Sequence, residues 1–146
     1  MTVKLSGQEM AARLSAEFPA LEIESDDLSV RIKSSDLLKL VDYLKNNPAF
    51  AFHLLIDITA VDYFDYFEVV YRFTSLAHNQ NLVLKVRCDD RNNPVLPSLT
   101  GLWRGADFME REIFDLMGIR FTGHPNMKRI FLWEGFDGHP LRKDSV

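Results

Sequence analysis

The sequence predicts an α+β fold: a single two-layer domain in the order α-β-β-α-β-β-β-α, with helices packed on a largely antiparallel mixed sheet and an extended C-terminal tail. Three observations carry that reading. Apolar residues recur at helical spacing in three separate stretches, and several short segments between them alternate apolar and polar residues. The sequence Gly-His-Pro then occurs twice, at Gly123 to Pro125 and Gly138 to Pro140, where each proline pushes its histidine toward extended backbone. The expected division is 1–122 for the domain and 123–146 for an extended, partner-binding tail.

Ser6-Gly7-Gln8-Glu9 has the Ser-x-x-Glu form of a capping box, and Met10, Leu14 and Phe18 follow at intervals of four. A first helix therefore runs to about Phe18 and Pro19 closes it. Leu21 to Glu24 and Leu28 to Ile32 alternate around Ser25-Asp26-Asp27, the pattern of a short hairpin. A second helix starts at Ser34 or Ser35, carries Leu37, Leu40, Val41 and Leu44 on one face, and ends at Asn46-Asn47-Pro48.

Phe52 to Val61, Phe67 to Ser75 and Leu82 to Cys88 read as a three-stranded meander. In the middle strand Phe67, Val69, Tyr71 and Phe73 face one way, and Glu68, Arg72 and Thr74 the other. Leu82, Leu84, Val86 and Cys88 share a face opposite Lys85 and Arg87, which makes Cys88 a buried, inert thiol. Asp89 to Pro97 is a polar loop leading into Leu99 to Trp103.

Ala106 to Met117 is the helix around which the rest is organised. Ala106, Met109, Ile113, Leu116 and Met117 form its inward stripe. Asp107, Arg111 and Asp115 lie opposite, where Arg111 is expected to pair with an acid one turn to either side, and Phe108 and Phe114 flank the charges. Gly118 stops the helix as a left-handed terminal glycine does. Beyond it Ile130, Phe131, Leu132, Trp133 and Phe136 stand among Lys128, Arg129, Arg142 and Lys143. A ribbon that apolar needs a surface to lie on.

A chain 47% hydrophobic and 12% aromatic is not a disordered one. The net charge of −4, with no basic block, argues against nucleic acid as the main partner. No run approaches the roughly 20 apolar residues of a membrane span, and the N-terminus lacks the apolar core of a signal peptide, so a soluble, cytoplasmic chain is expected. The single cysteine excludes an internal disulfide, and also an iron–sulfur cluster held by this chain alone.

Glu110, Glu112 and Asp115 could supply paired carboxylates, but on a helix Glu110 and Glu112 point about 200° apart. Caps and ion pairs to a neighbouring surface are the better reading. His53, His78, His124 and His139 lack metal-ligand spacing, and hydrogen bonding at an interface suits His124 and His139 better. Neither a nucleophile elbow, a GxGxxG nor a P-loop occurs. Arg129, Arg142 and Lys143 beside Glu134, Asp137 and Asp144 read as a mixed-charge interface, with ordinary solvated charge as the alternative.

Glu110 to Pro125, followed by Lys128-Arg129-Ile130 and by Gly138 to Asp144, closely resembles the signature of the C subunit, or 30 kDa subunit, of respiratory complex I. Upstream, Asp57 to Tyr63, Phe67 to Tyr71, Ser75-Leu76 before His78-Asn79, and Pro97 to Trp103 resemble the same family. The resemblance implies a non-catalytic structural and assembly subunit in the peripheral arm, the quinone-reducing module, of a proton-pumping NADH:quinone oxidoreductase. It implies no cofactor on this chain, with NADH, FMN, iron–sulfur clusters and quinone held by partner subunits. The implied partners are the large subunit that shapes the quinone site and the small subunit that holds the terminal cluster. The implied location is peripheral, on the cytoplasmic side of the cell inner membrane.

On the helix the expected interface residues are Phe108, Glu110, Arg111, Glu112, Phe114 and Asp115. On the tail they are His124, Pro125, Arg129, His139, Pro140, Leu141, Arg142 and Lys143; none is expected to be catalytic or to bind metal. The likeness departs after Asp144, where Ser145-Val146 stands in place of the family's aromatic residue and proline. The alternatives are the equivalent subunit of a membrane-bound hydrogenase or ferredoxin-linked complex, a stand-alone hydrolase using Glu110 or Glu112 with His124, and a homo-oligomeric binding module.

Overall fold

A computed structural model describes residues 3–4 as backbone, and residues 6–129 and 138–143 in full. Eleven elements follow in order among them. β1 (Val3–Lys4) precedes α1 (Gly7–Glu17), β2 (Glu24–Ser25) and β3 (Val30–Ile32). A single 3-10 turn at Ser34–Asp36 leads into α2 (Leu37–Asn46), and the meander is β4 (Leu54–Asp62), β5 (Phe67–Ser75) and β6 (Gln80–Cys88). β7 (Val95–Pro97), α3 (Ala106–Met117) and β8 (Arg120–Thr122) complete the chain.

The main sheet runs β2-β3-β6-β5-β4. β3 lies parallel to Leu84–Val86 of β6, β1 lies parallel to Gln80–Asn81, and the remaining pairings are antiparallel. β7 and β8 form a separate parallel pair. The α+β expectation therefore stands, with three strands the sequence did not announce. β1 has two residues and β7 and β8 three each, too few for a period, and each is defined by a distant partner rather than by its own pattern. The hairpin is shorter than expected, because Leu21 and Ile23 pack against the edge of the core instead of entering the ladder.

Local chemistry explains the helices. The Glu9 N–H donates to Ser6 Oγ at 3.1 Å, capping α1. A Cβ on Gly7 would lie 2.0 Å from the carbonyl oxygen of Asp26 and 2.3 Å from that of Ser29, so only glycine lets α1 start against the hairpin turn. Leu37, Leu40, Val41 and Leu44 of α2 are all buried.

One apolar cluster joins the three helices to the Phe67, Val69, Tyr71, Phe73 face of β5 and to Leu82, Leu84, Val86 and Cys88 of β6. Burial pushes the Cys88 thiol up to about 12, with Asp89 adding to the shift, which leaves it unreactive. On the other face, Glu68 is a correction to the simple alternation. It points away from the helices yet is only 1% exposed, closed over by Arg31 Nε at 3.1 Å and Lys85 Nζ at 3.9 Å.

Candidate functional site

The inward stripe of α3 is as expected, with Ala106, Ile113 and Met117 buried and Met109 and Leu116 packed beside them. Its charged face is not. Arg111 pairs with neither Asp107 nor Asp115; its Nε donates to the carbonyl of Lys128 at 3.0 Å and Nη2 to that of Arg129 at 3.4 Å. Residues 124–129 lie along this face and supply each charge with a partner from outside the helix.

The His124 imidazole is fully buried, with Nε2 3.0 Å from Asp107 Oδ1. Because the Asn126 N–H donates to His124 Nδ1 at 2.9 Å, the ring proton sits on Nε2, with the Asp107 backbone carbonyl 3.4 Å away. Arg129 Nε lies 3.4 Å from Asp115 Oδ1, and Asp115 has no exposed surface.

Glu110 is likewise sealed from solvent. Ser98 Oγ donates to its Oε1 at 2.6 Å and the Leu99 N–H to its Oε2 at 2.8 Å. Burial raises its pKa, while those two donors, and His124 more weakly, pull against the shift. The carboxylate thus pins the strand-to-helix connection to α3. Expected to face a neighbouring surface, Glu110 and Asp115 are instead internal, since α3 is covered on more than one side. Glu112 has no hydrogen bond or ion pair to a described residue and is half-buried.

The second Gly-His-Pro returns to the domain rather than running clear of it. The Leu141 N–H donates to Leu116 O at 2.9 Å, and Arg129 Nη2 donates to Gly138 O at 2.6 Å. His139 Nδ1 lies 3.0 Å from Asp115 O, and its ring sits where a side chain on Gly118 would be, 2.8 Å from the ideal Cβ position. Gly118 has φ +78° and donates its N–H to Phe114 O, the expected helix stop. Pro125 and Pro140 are exposed. Ile130, Phe131, Leu132, Trp133, Glu134, Phe136, Asp137 and Asp144 lie outside the described residues.

Asp62 anchors the segment's far end. Its carboxylate takes both nitrogens of the Arg91 fork, the Phe64 N–H at 2.8 Å and the Lys143 N–H at 2.8 Å. The Arg91 guanidinium, helped by the two backbone donors, holds this carboxyl well below the usual range despite burial. Arg142 donates to the Arg91 carbonyl at 2.6 Å, and both guanidinium groups sit over the Phe67 ring, at 4.9 and 4.5 Å. Sequence reasoning missed this hub. A signal existed: Ile58, Ala60 and Asp62 share the inward phase of β4, which puts an acid on the core face.

Among the described residues, Glu110, Glu112 and His124 do not come together around one open site. Glu110 is sealed, His124 is buried against Asp107, and Glu112 lines a shallow groove beside Leu116 and Leu141. Among the described residues, no three His, Cys, Asp or Glu side chains gather as metal ligands would, and no helix is long and apolar enough to cross a membrane.

An ionic network that holds a domain together, beside exposed Phe108, Phe64 and Leu141, is what a packing component of a larger assembly needs. The fold matches a chain in the structure of the membrane-bound sulfane sulfur reductase (MBS), an archaeal respiratory membrane complex. The TM-score is 0.76 over 94% of this chain and 84% of that one, at 22% identity, a likeness of fold. The family model described as respiratory-chain NADH dehydrogenase, 30 Kd subunit, matches residues 30–146, and the chain belongs to that family.

Curated relatives agree. The C subunit of NADH-quinone oxidoreductase from Roseiflexus castenholzii is 42% identical over 96% of this chain and 84% of its own length. The corresponding C subunits from Roseiflexus sp. and Azorhizobium caulinodans are 45% and 38% identical, over 81% and 94% of this chain and 69% and 67% of their own.

Proposed function

We propose that the chain is a non-catalytic structural and assembly subunit in the peripheral arm of a proton-pumping NADH:quinone oxidoreductase. The observation that carries this reading is the match to the Roseiflexus castenholzii protein across 96% of this chain and 84% of that one. Compatible with it, Asp107, Glu110, Arg111 and Asp115 of α3 each have partners in the domain's own backbone and side chains. NADH, FMN, iron–sulfur clusters and quinone belong on this reading to partner subunits.

The partners are the large subunit at the quinone site and the small subunit with the terminal cluster, and the location is peripheral, on the cytoplasmic face of the inner membrane. Phe108, Glu112, Phe114, Pro125, Pro140 and Leu141 would meet partners directly. Glu110, Arg111, Asp115, His124, Arg129, His139, Arg142 and Lys143 would hold the surface in shape. The relatives' shared name favours NADH over a hydrogenase or ferredoxin-linked complex, for which the structural likeness speaks only at the level of fold.

The test is to return the tagged chain to membranes lacking it, resolve complexes on a native gel and assay NADH-driven quinone reduction. Co-migration with iron–sulfur and quinone-site subunits and recovery of activity are expected. Recovery of the chain only as its own oligomer, with activity unaffected by its absence, would refute the reading.

A further inference from the structure

β4 is one edge of the main sheet; among the described residues no strand pairs with its outer side. Natural proteins protect such edges with charge, proline, bulges or short length. β4 has one bulge and a half-exposed Asp57, but little else of this kind. It has nine residues and offers Leu54, Ile56 and Val61 to solvent, and the ladder to β5 shifts between Leu55 and Asp57, leaving Ile56 in a bulge and 55% exposed.

A groove of about 190 Å³ runs along this edge, between the strand and α3. Ile58, Thr59 and Ala60 all line it. Consecutive strand residues point to opposite faces, so a groove touching all three follows the strand's rim. Its far wall is Ile113, Leu116 and Leu141, and one charged residue, Glu112, lines it. On α3 the carboxylates of Asp107, Glu110 and Asp115 each have an internal partner. Glu112 has none among the described residues, although it is half-buried. A half-buried carboxylate at an apolar rim is stabilised by a cation brought from outside.

We infer that the β4 edge and its groove receive an extended apolar segment of a partner subunit, which adds to the sheet as a strand and places a Lys or Arg against Glu112. Main-chain bonds to β4 provide affinity and the groove selects alternate side chains. The inference rests on the subunit reading and deepens it by naming the partner's chemistry.

The experiment compares amide hydrogen exchange across Leu54–Asp62 in the assembled oxidoreductase and in the isolated full-length chain. It adds native-gel yields for Glu112→Gln and Glu112→Lys, and zero-length carboxyl-to-amine cross-linking at Glu112. Expected results are protection of β4 amides by at least about tenfold on assembly and a cross-link to a lysine in an apolar segment of a partner. Glu112→Lys should cut the assembled fraction by about tenfold, Glu112→Gln should cut it less, and the melting temperature of the isolated chain should not move in either variant. Equal exchange in an assembled complex overturns the inference and leaves the subunit reading standing; absence of any complex fails the subunit reading itself. Protection already present in the isolated chain also overturns the inference. If that protection depends on concentration the occupant is a second copy, and if not it is the chain's own segment.

Discussion

Replacing Asp62 by asparagine removes one charge and almost no volume from the hub beneath the C-terminal segment. The carboxylate, 2% exposed, accepts the Arg91 fork and the backbone N–H groups of Phe64 and Lys143. An amide keeps one acceptor oxygen and turns an N–H₂ toward Arg91, so at least one charge-assisted bond is lost, a loss of about 1.5–3 kcal/mol. Arg91 is 18% exposed and can regain some water, which keeps the cost below the roughly 3–5 kcal/mol of a wholly buried broken pair. About 2 kcal/mol is expected at neutral pH, or a fall in melting temperature of roughly 6 °C.

The same geometry fixes how that difference changes with pH. The folded-state pKa of Asp62 is depressed below its unfolded value of about 3.9, so its contribution is complete above that value and fades as pH falls toward the folded one. Urea unfolding of the wild-type and Asp62→Asn chains at pH 7 and near pH 3 measures it. The gap between them should narrow at the acid end. A gap of the same size at both pH values would mean that Arg91 does not hold the carboxylate ionised, and the account of the hub would be wrong.

Three further outcomes follow from the geometry of α3. Glu110 has a raised pKa, so its ionisation makes stability fall as pH rises from about 4.3 through the folded value; Glu110→Gln should flatten that slope, and Glu110→Ala should cost about 2–4 kcal/mol by leaving a cavity and stranding the Leu99 N–H, both read by urea titration across pH. Gly118→Ala should cost about 2 kcal/mol, from a positive φ and a Cβ 2.8 Å from the His139 ring, and should speed tryptic cleavage at Arg142 and Lys143. Arg111→Ala removes two bonds to the backbone of Lys128 and Arg129; it should lower the isolated chain's stability by about 1 kcal/mol or less while reducing native-gel assembly more.

What the sequence made legible was whatever repeats along the chain. Leu37, Leu40, Val41 and Leu44 announced α2, and Phe67, Val69, Tyr71 and Phe73 announced the buried face of β5, because helix and strand periods are local properties. Hidden were contacts that a distant segment decides. Asp107, Arg111 and Asp115 looked like an i, i+4 ladder, yet the chain around His124 and Arg129 folds over that face and takes each charge for itself. The N–H of Lys143 reaching Asp62 has no local signature at all. Glu112 and Leu141 read from the sequence as interface residues, but their shared groove comes from β4, where nothing in the alternation marks a sheet edge.

The position of β6 imposes an order on synthesis. β3 and β1 both lie along β6, with Val30 opposite Leu84 and Val3 opposite Gln80, so two early strands complete their pairing only after the much later β6 has been made. Until β6 is made, the helices and hairpin ahead of it have no sheet on which to settle. The β4–β5–β6 meander, whose contacts are local, is the part able to form quickly once complete. The chain ahead of β6 must therefore remain unaggregated until that strand, and then the later α3, give it a surface to close on.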